Sequence, residues 1–200
     1  MTAERTATPL VAGVALLERS LGYTLGSLLL VRPQHLHRPT PCAAWDLAAL
    51  LAHMNDSLLT LHEATVGGHV ALNPPRRGHD DPPLAVPAAT ALRNRACRLL
   101  GDWNRMTPAE DLVSVAGKPM SAGMVAAAGA VEVAVHGWDV AQACGRPRPI
   151  PWPLAEELLE LAPLFVSAAD REHRFGPPVP TAPYTEAGDR LVAYLGRTPH

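Results

Sequence analysis

The sequence predicts a mostly α-helical bundle. Segment after segment carries apolar side chains at three- and four-residue spacing, the stripe of an amphipathic helix. Proline and glycine clusters separate these segments. No alternating pattern is long enough for a large sheet, and no internal repeat has solenoid spacing. Apolar residues make up 48% of the 200, enough to bury a core around such helices. The length fits one domain spanning residues 1–200.

Each element has its own justification. Leu10, Val14, Leu17, Leu21, Leu25 and Leu28 form the first stripe; Pro33 ends it, and a loop through Pro39, Thr40 and Pro41 follows. Asp46 is placed to cap a second helix carrying Leu47, Leu50, Leu51, Met54, Leu58 and Leu61, which Gly67-Gly68 stops. Residues 73–87, with Pro74, Pro75, Pro82 and Pro83, read as a loop. A third helix is expected from Ala88 to Trp103, with Leu92, Ala96, Leu99 and Leu100 inward, then a short extended piece over Leu112–Val115. Ser121 serves as N-cap of a long fourth helix that closes at Gly145. Its small residues, Ala126 to Ala130, let a neighbouring helix come close. A fifth helix is expected over Leu154–Ala169 and a short last one over Thr185–Leu195.

Composition excludes several functions. A formal net charge of -2 argues against a dedicated nucleic-acid binder, which carries a basic excess. No apolar run reaches the roughly 18–20 residues of a membrane span; Leu28 to Val31 is soon stopped by Arg32 and Pro33. The stretch Met1 to Pro9 lacks the basic-then-apolar order of a secretory leader, so a cytoplasmic protein without a membrane partner is expected. Lys118 is the only lysine; the arginine and alanine bias reads as genome composition and not as an arginine-based site. Cys42, Cys97 and Cys144 are odd in number with no CxxC spacing, so neither a disulfide framework nor a cysteine zinc knuckle is expected, but reduced, mostly buried thiols. Trp103 and Trp152 are available for an interface or for packing, and the apolar faces suit a monomer or a homodimer.

The fourth predicted helix concentrates the chemistry. Glu132 and His136 are four apart and project from one face; Asp139 comes round to nearly the same face. Val125, Ala128 and Gly129 share that face, so the ionisable groups should point into the bundle, where each needs a partner or a metal. On the second helix His53 flanks the apolar stripe among Leu50, Leu51 and Met54. Two helices thus offer two imidazole nitrogens and one carboxylate oxygen. Such a set leaves a position open on a catalytic divalent ion, yet it equally describes a hydrogen-bonded core histidine and an intrahelical pair. Asp139 either orients a ligand histidine or pairs with an arginine. His35 and His37 form an H-x-H in a proline-bounded loop, His62 faces another part of the second helix, and His69, His79, His173 and His200 read as loop or tail residues. No G-x-S-x-G elbow and no glycine-rich phosphate loop occurs.

The stretch Pro39-Thr-Pro-Cys-Ala-Ala-Trp-Asp46, followed by Leu50-Leu-Ala-His53, resembles the start of the mycothiol-dependent maleylpyruvate isomerase-like proteins of the DinB-like metal-binding superfamily. Glu132 to Gly145, reading E-V-A-V-H-G-W-D-V-A-Q-A-C-G, resembles their second signature. Phe175-Gly-Pro-Pro-Val179 with Asp189 to Arg197 is similar to the close of an actinobacterial subgroup. The resemblance implies a four-helix bundle with up-down-down-up connections, here with short extra C-terminal helices. It implies a divalent metal, zinc or similar, held by His53, Glu132 and His136. For the best-understood members it implies the low-molecular-weight thiol mycothiol as cosubstrate. The chain is expected to lack the separate C-terminal domain of the isomerase-like enzymes.

The activity so implied is a metal-dependent thiol transferase or isomerase acting on a small electrophile. Two other functions remain open from the residues: a biosynthetic cyclase or hydrolase of the same fold that uses its metal without a thiol, and a non-catalytic small-molecule-binding bundle.

Overall fold

The computed structural model describes residues 9–42, 45–70, 88–103, 105, 112–166, 171 and 175–199. Among these, six α-helices dominate: α1 (Pro9–Leu28), α2 (Leu47–Gly67), α3 (Ala88–Trp103), α4 (Ala122–Ala143), α5 (Trp152–Phe165) and α6 (Ala187–Tyr194). Two expected caps form. The Asp46 carboxylate accepts from Ala49 N at 2.9 Å, and the Ser121 hydroxyl oxygen accepts from Met124 N at 3.3 Å.

Cross-helix pairs fix the direction of each helix. Gly13 lies against Gly123, and Thr24 lies against Val133 and Gly137, so α1 and α4 run parallel. His53 meets Glu132 while Leu61 meets Gly129, so α2 runs against α4. Arg95 reaches Asn55 and His62 reaches Asp102, so α3 runs with α2. The order is therefore up-down-down-up, the expected four-helix bundle. The α1–α4 interface is the most extensive, because small residues allow near contact of the backbones. A Cβ on Gly13 would fall 2.2 Å from the Gly123 carbonyl oxygen, and one on Gly137 would fall 2.3 Å from Thr24 Oγ1. The core between the helices includes Leu17, Leu21, Leu47, Leu50, Leu51, Leu99 and Ala134, all fully buried.

Several expectations need correction. The extended piece at Leu112–Val115 is the middle strand (β2) of a small sheet, between β1 (His69–Val70, parallel) and β3 (Lys118–Ser121, antiparallel). A two-residue turn at Ala116 (φ 49) and Gly117 (φ 79) closes the hairpin with the left-handed backbone such turns need. The first helix stops at Leu28, and Pro33 opens a 3-10 turn instead of ending the helix. The fifth helix ends at Phe165, two residues after an internal Pro163; Val166 is extended. Residues 167–169, the rest of that expected helix, and the 73–87 loop lie outside the described residues. The last helix is shorter than Thr185–Leu195 by its ends.

Helix α4 is, by length and average composition alone, apolar enough to cross a membrane, although Glu132, His136 and Asp139 interrupt its apolar run. Its apolar window is 83% buried within the bundle, which is how a core helix earns the same composition. Trp103 is fully buried and so belongs to packing, whereas Trp152 is exposed. All three cysteines are free; Cys144 is buried, Cys42 half-buried and Cys97 exposed, so one of the three departs from the expected burial.

Candidate metal centre

Where α2 and α4 run antiparallel, their polar residues meet at one level. His53 Nε2 stands 2.7 Å from Glu132 Oε1, and His136 Nε2 stands 3.2 Å from the same oxygen. One ligand-type atom from each of the three residues lies within 4.8 Å of the others. The imidazole rings sit edge to face, 5.1 Å between centroids. Helical spacing accounts for half of this: the four-residue step places Glu132 and His136 one above the other. The antiparallel approach of α2 supplies His53.

The site has a dry side and a wet side. His136 is 5% exposed and Asp139 0%, while His53 and Glu132 are half-buried. On the dry side, His136 Nδ1 lies 2.9 Å from Asp139 Oδ2. Arg197, also buried, forks onto the same carboxylate, with Nη2 at 2.9 Å from Oδ2 and Nε at 3.4 Å from Oδ1. Asp139 therefore pairs with an arginine, one of the two roles the sequence left open, and contacts His136 as well. Toward the interior, the centre borders a small apolar cavity of about 10 Å³, walled by Leu21, Leu25, Met54, Leu58 and Leu92. Trp45, half-buried, packs on His53 with 4.4 Å between ring centroids. Ser57 Oγ stands 3.5 Å from Glu132 Oε1.

The electrostatics follow from these contacts. Burial pushes the Glu132 carboxyl up, but the charge of His136 and hydrogen bonds from both histidines outweigh it and hold the group well below the usual carboxylate range. Burial pulls His136 down; the charge of Glu132 and the Asp139 hydrogen bond prevail and raise it to about 9. Burial likewise opposes ionisation of Asp139, yet the His136 hydrogen bond and the charge of Arg197 lower it. Without an ion, the cluster thus pairs an ionised Glu132 with a His136 biased toward its charged form.

The donor set fits a divalent cation of zinc's type. It offers two imidazole nitrogens and a carboxylate oxygen on one side, with solvent on the other. The outward nitrogen of His136 is the Nε2, because its Nδ1 is engaged by a carboxylate, the usual arrangement behind a ligating histidine.

A family model, the mycothiol maleylpyruvate isomerase N-terminal domain, matches residues 24–141, more than half of the chain. The chain belongs to this family. The mycothiol maleylpyruvate isomerase N-terminal domain match contains His53, Glu132, His136 and Asp139, whereas α5, α6 and Arg197 lie beyond it. No curated protein and no solved structure matches the chain.

The other candidate groups stay apart from this centre. His37 is exposed, 3.5 Å from Asp46, and His35 joins no cluster of ligand-type side chains among the described residues. His62 pairs with Asp102 at 2.8 Å. His69 opens the first strand, and His79, His173 and His200 lie outside the described residues. Burial pushes the Cys42 thiol up; Arg197 opposes that, while Asp139 and Glu132 reinforce it. Residue-by-residue reading missed Trp45, Ser57 and Arg197. Ser57 was findable, being one helical turn beyond His53. Arg197 carried no local signal, since its partner lies 58 residues away.

Proposed function

We propose that this chain is a divalent-metal-dependent enzyme, with zinc the preferred ion, that uses a low-molecular-weight thiol, mycothiol, in transfer to or isomerisation of a small electrophile. The observation that carries the reading is the convergence of His53 Nε2, Glu132 Oε1 and His136 Nε2 at one partly open point. Family membership supports the thiol. A bound divalent ion supplies an open Lewis-acid position at which a thiol loses its proton near neutral pH.

The residues divide the remaining work. His53 and Glu132 hold the open side, where a cosubstrate approaches. His136 is held from behind by Asp139, so its ring cannot turn its second nitrogen outward. Trp45 packs on the His53 ring and restricts its rotation. The apolar walls from α1, α2 and α3 keep the inner side of Glu132 dry, so the electrophile is taken on the open side. Cys42, pushed toward its protonated form, is unsuited as an internal nucleophile, so the thiol is expected to come from a cosubstrate.

The test is elemental analysis of purified protein alongside His53→Ala, Glu132→Ala and His136→Ala, followed by turnover screens with and without thiol. About one zinc per chain, lost in all three variants while helicity persists, is the expected result. A wild type that takes up no zinc on titration sinks the reading. Turnover that is zinc-dependent but indifferent to thiol would replace it with the thiol-free cyclase or hydrolase.

A further inference from the structure

Arg197 is buried, and each of its three guanidinium nitrogens is engaged within the protein. Nε and Nη2 face the two oxygens of Asp139, and Nη1 donates to the Leu195 carbonyl at 2.8 Å. Nothing in this arrangement offers the guanidinium to a substrate. It is turned instead on a carboxylate that has no exposure at all and that accepts from the candidate ligand His136. The three side chains form one line, Arg197 to Asp139 to His136, ending at the Nε2 that faces Glu132.

The local backbone delivers Arg197 to this place. Helix α6 ends in a Schellman turn: Gly196, at φ +84, donates to the Ala193 carbonyl at 3.0 Å, and Arg197 N donates to the Val192 carbonyl at 2.9 Å. Gly196 is also pressed on Gly176, whose Cα lies 2.6 Å from where a Cβ would stand. The residue after the turn is therefore directed inward, against α4.

A carboxylate this deeply buried needs a counter-charge to stay ionised. A guanidinium supplies it in a fork that also fixes the plane of both oxygens. A fixed Asp139 carboxylate only accepts, so it engages Nδ1–H of His136 and leaves Nε2 as the nitrogen turned toward Glu132. We propose that Arg197, although outside the family-matched region, is a positioning residue of the metal centre: through Asp139 it holds His136 with Nδ1–H inward and Nε2 free to ligate. The proposal rests on the metal reading above.

The test uses the full chain and zinc itself. Affinity is measured by competition with a chromogenic chelator, helicity by circular dichroism, and the His136 Nδ1–H resonance by imidazole-selective NMR with and without zinc. Arg197→Met should bind zinc roughly 10- to 100-fold more weakly, with helicity retained and the Nδ1–H resonance lost or shifted. Arg197→Lys should recover part of the affinity. Asp139→Asn should behave like Arg197→Met, and the double variant should bind no more weakly than Asp139→Asn. If Arg197→Met fails to fold, the double variant, which buries no unpaired charge, carries the same comparison. Wild-type affinity with an unchanged resonance in Arg197→Met, or a double variant far weaker than Asp139→Asn, would overturn the proposal. A wild type that binds no zinc overturns the metal reading instead. In that case the zinc-free resonance still decides whether Arg197 orients His136.

Discussion

His136 is the residue on which the chemistry turns, since it touches Glu132 through one nitrogen and Asp139 through the other. Its protonation has a consequence for the metal-free protein. Its folded pKa, about 9, lies above the ordinary 6.5, so its contribution to stability is fully present below about pH 6.5 and is lost as pH rises through 9. Glu132 and Asp139 are lowered, so their contributions are present above the ordinary carboxylate range and are lost as pH falls through their folded values. Chelator-treated protein should thus be most stable between about pH 4.5 and 6.5 as far as this cluster decides. Urea denaturation at pH 6 and at pH 9.5 should differ by on the order of 2–3 kcal/mol, and His136→Ala should flatten the difference. An equal difference in that variant would place its origin elsewhere.

At the scale of elements, the centre depends on how closely α1 and α4 pack, because α4 carries two of the three candidate ligands. Gly13→Ala would drive a methyl group into the Gly123 carbonyl, a backbone atom that cannot swing aside. The helix-propensity gain of about 1 kcal/mol is outweighed by the forced separation, and a net loss of about 1–3 kcal/mol is expected in denaturant melts. Zinc affinity should hold, since Gly123 lies ~2.5 turns from Glu132 along α4. Elements of this kind were legible in the sequence for local reasons. Asp46 and Ser121 announce helix starts by their side-chain chemistry, and the Glu132–His136 step places both groups on one face whatever the tertiary context. His53 was legible because a histidine beside an apolar stripe has little alternative to an inward partner. What stayed hidden is non-local. His69–Val70 is too short to show a period, and it becomes a strand only because Ser114 and Val115 lie beside it. Arg197 reads as a surface residue after a short helix until the Gly196 turn brings it to Asp139. Pro163 was visible in the sequence, and the expected fifth helix ran past it although such a residue limits continuation.

For the molecule as a whole, the question is whether the metal builds the fold or is held by it. The bundle core, with Leu17, Leu21, Leu50, Leu51, Leu99 and Trp103 each within about 1% of full burial, runs along helices of 16 to 22 residues and needs no ion to close. The candidate ligands also find partners in one another, because Glu132 Oε1 lies 2.7 Å from His53 Nε2 and 3.2 Å from His136 Nε2. A chelated protein should therefore keep its far-ultraviolet circular dichroism and a cooperative thermal transition, unlike a domain folded by its zinc. Zinc should still stabilise by linkage. At a free concentration about 100 times its dissociation constant, the gain is about 2.7 kcal/mol. For a chain of this size that corresponds to a rise in Tm of about 5–10 °C. Glu132→Ala should abolish the zinc-dependent rise, with the transition itself still cooperative. Collapse of helicity on chelation would show a structural ion, whereas a Tm indifferent to zinc in the wild type would show that the three converging side chains serve one another and no metal.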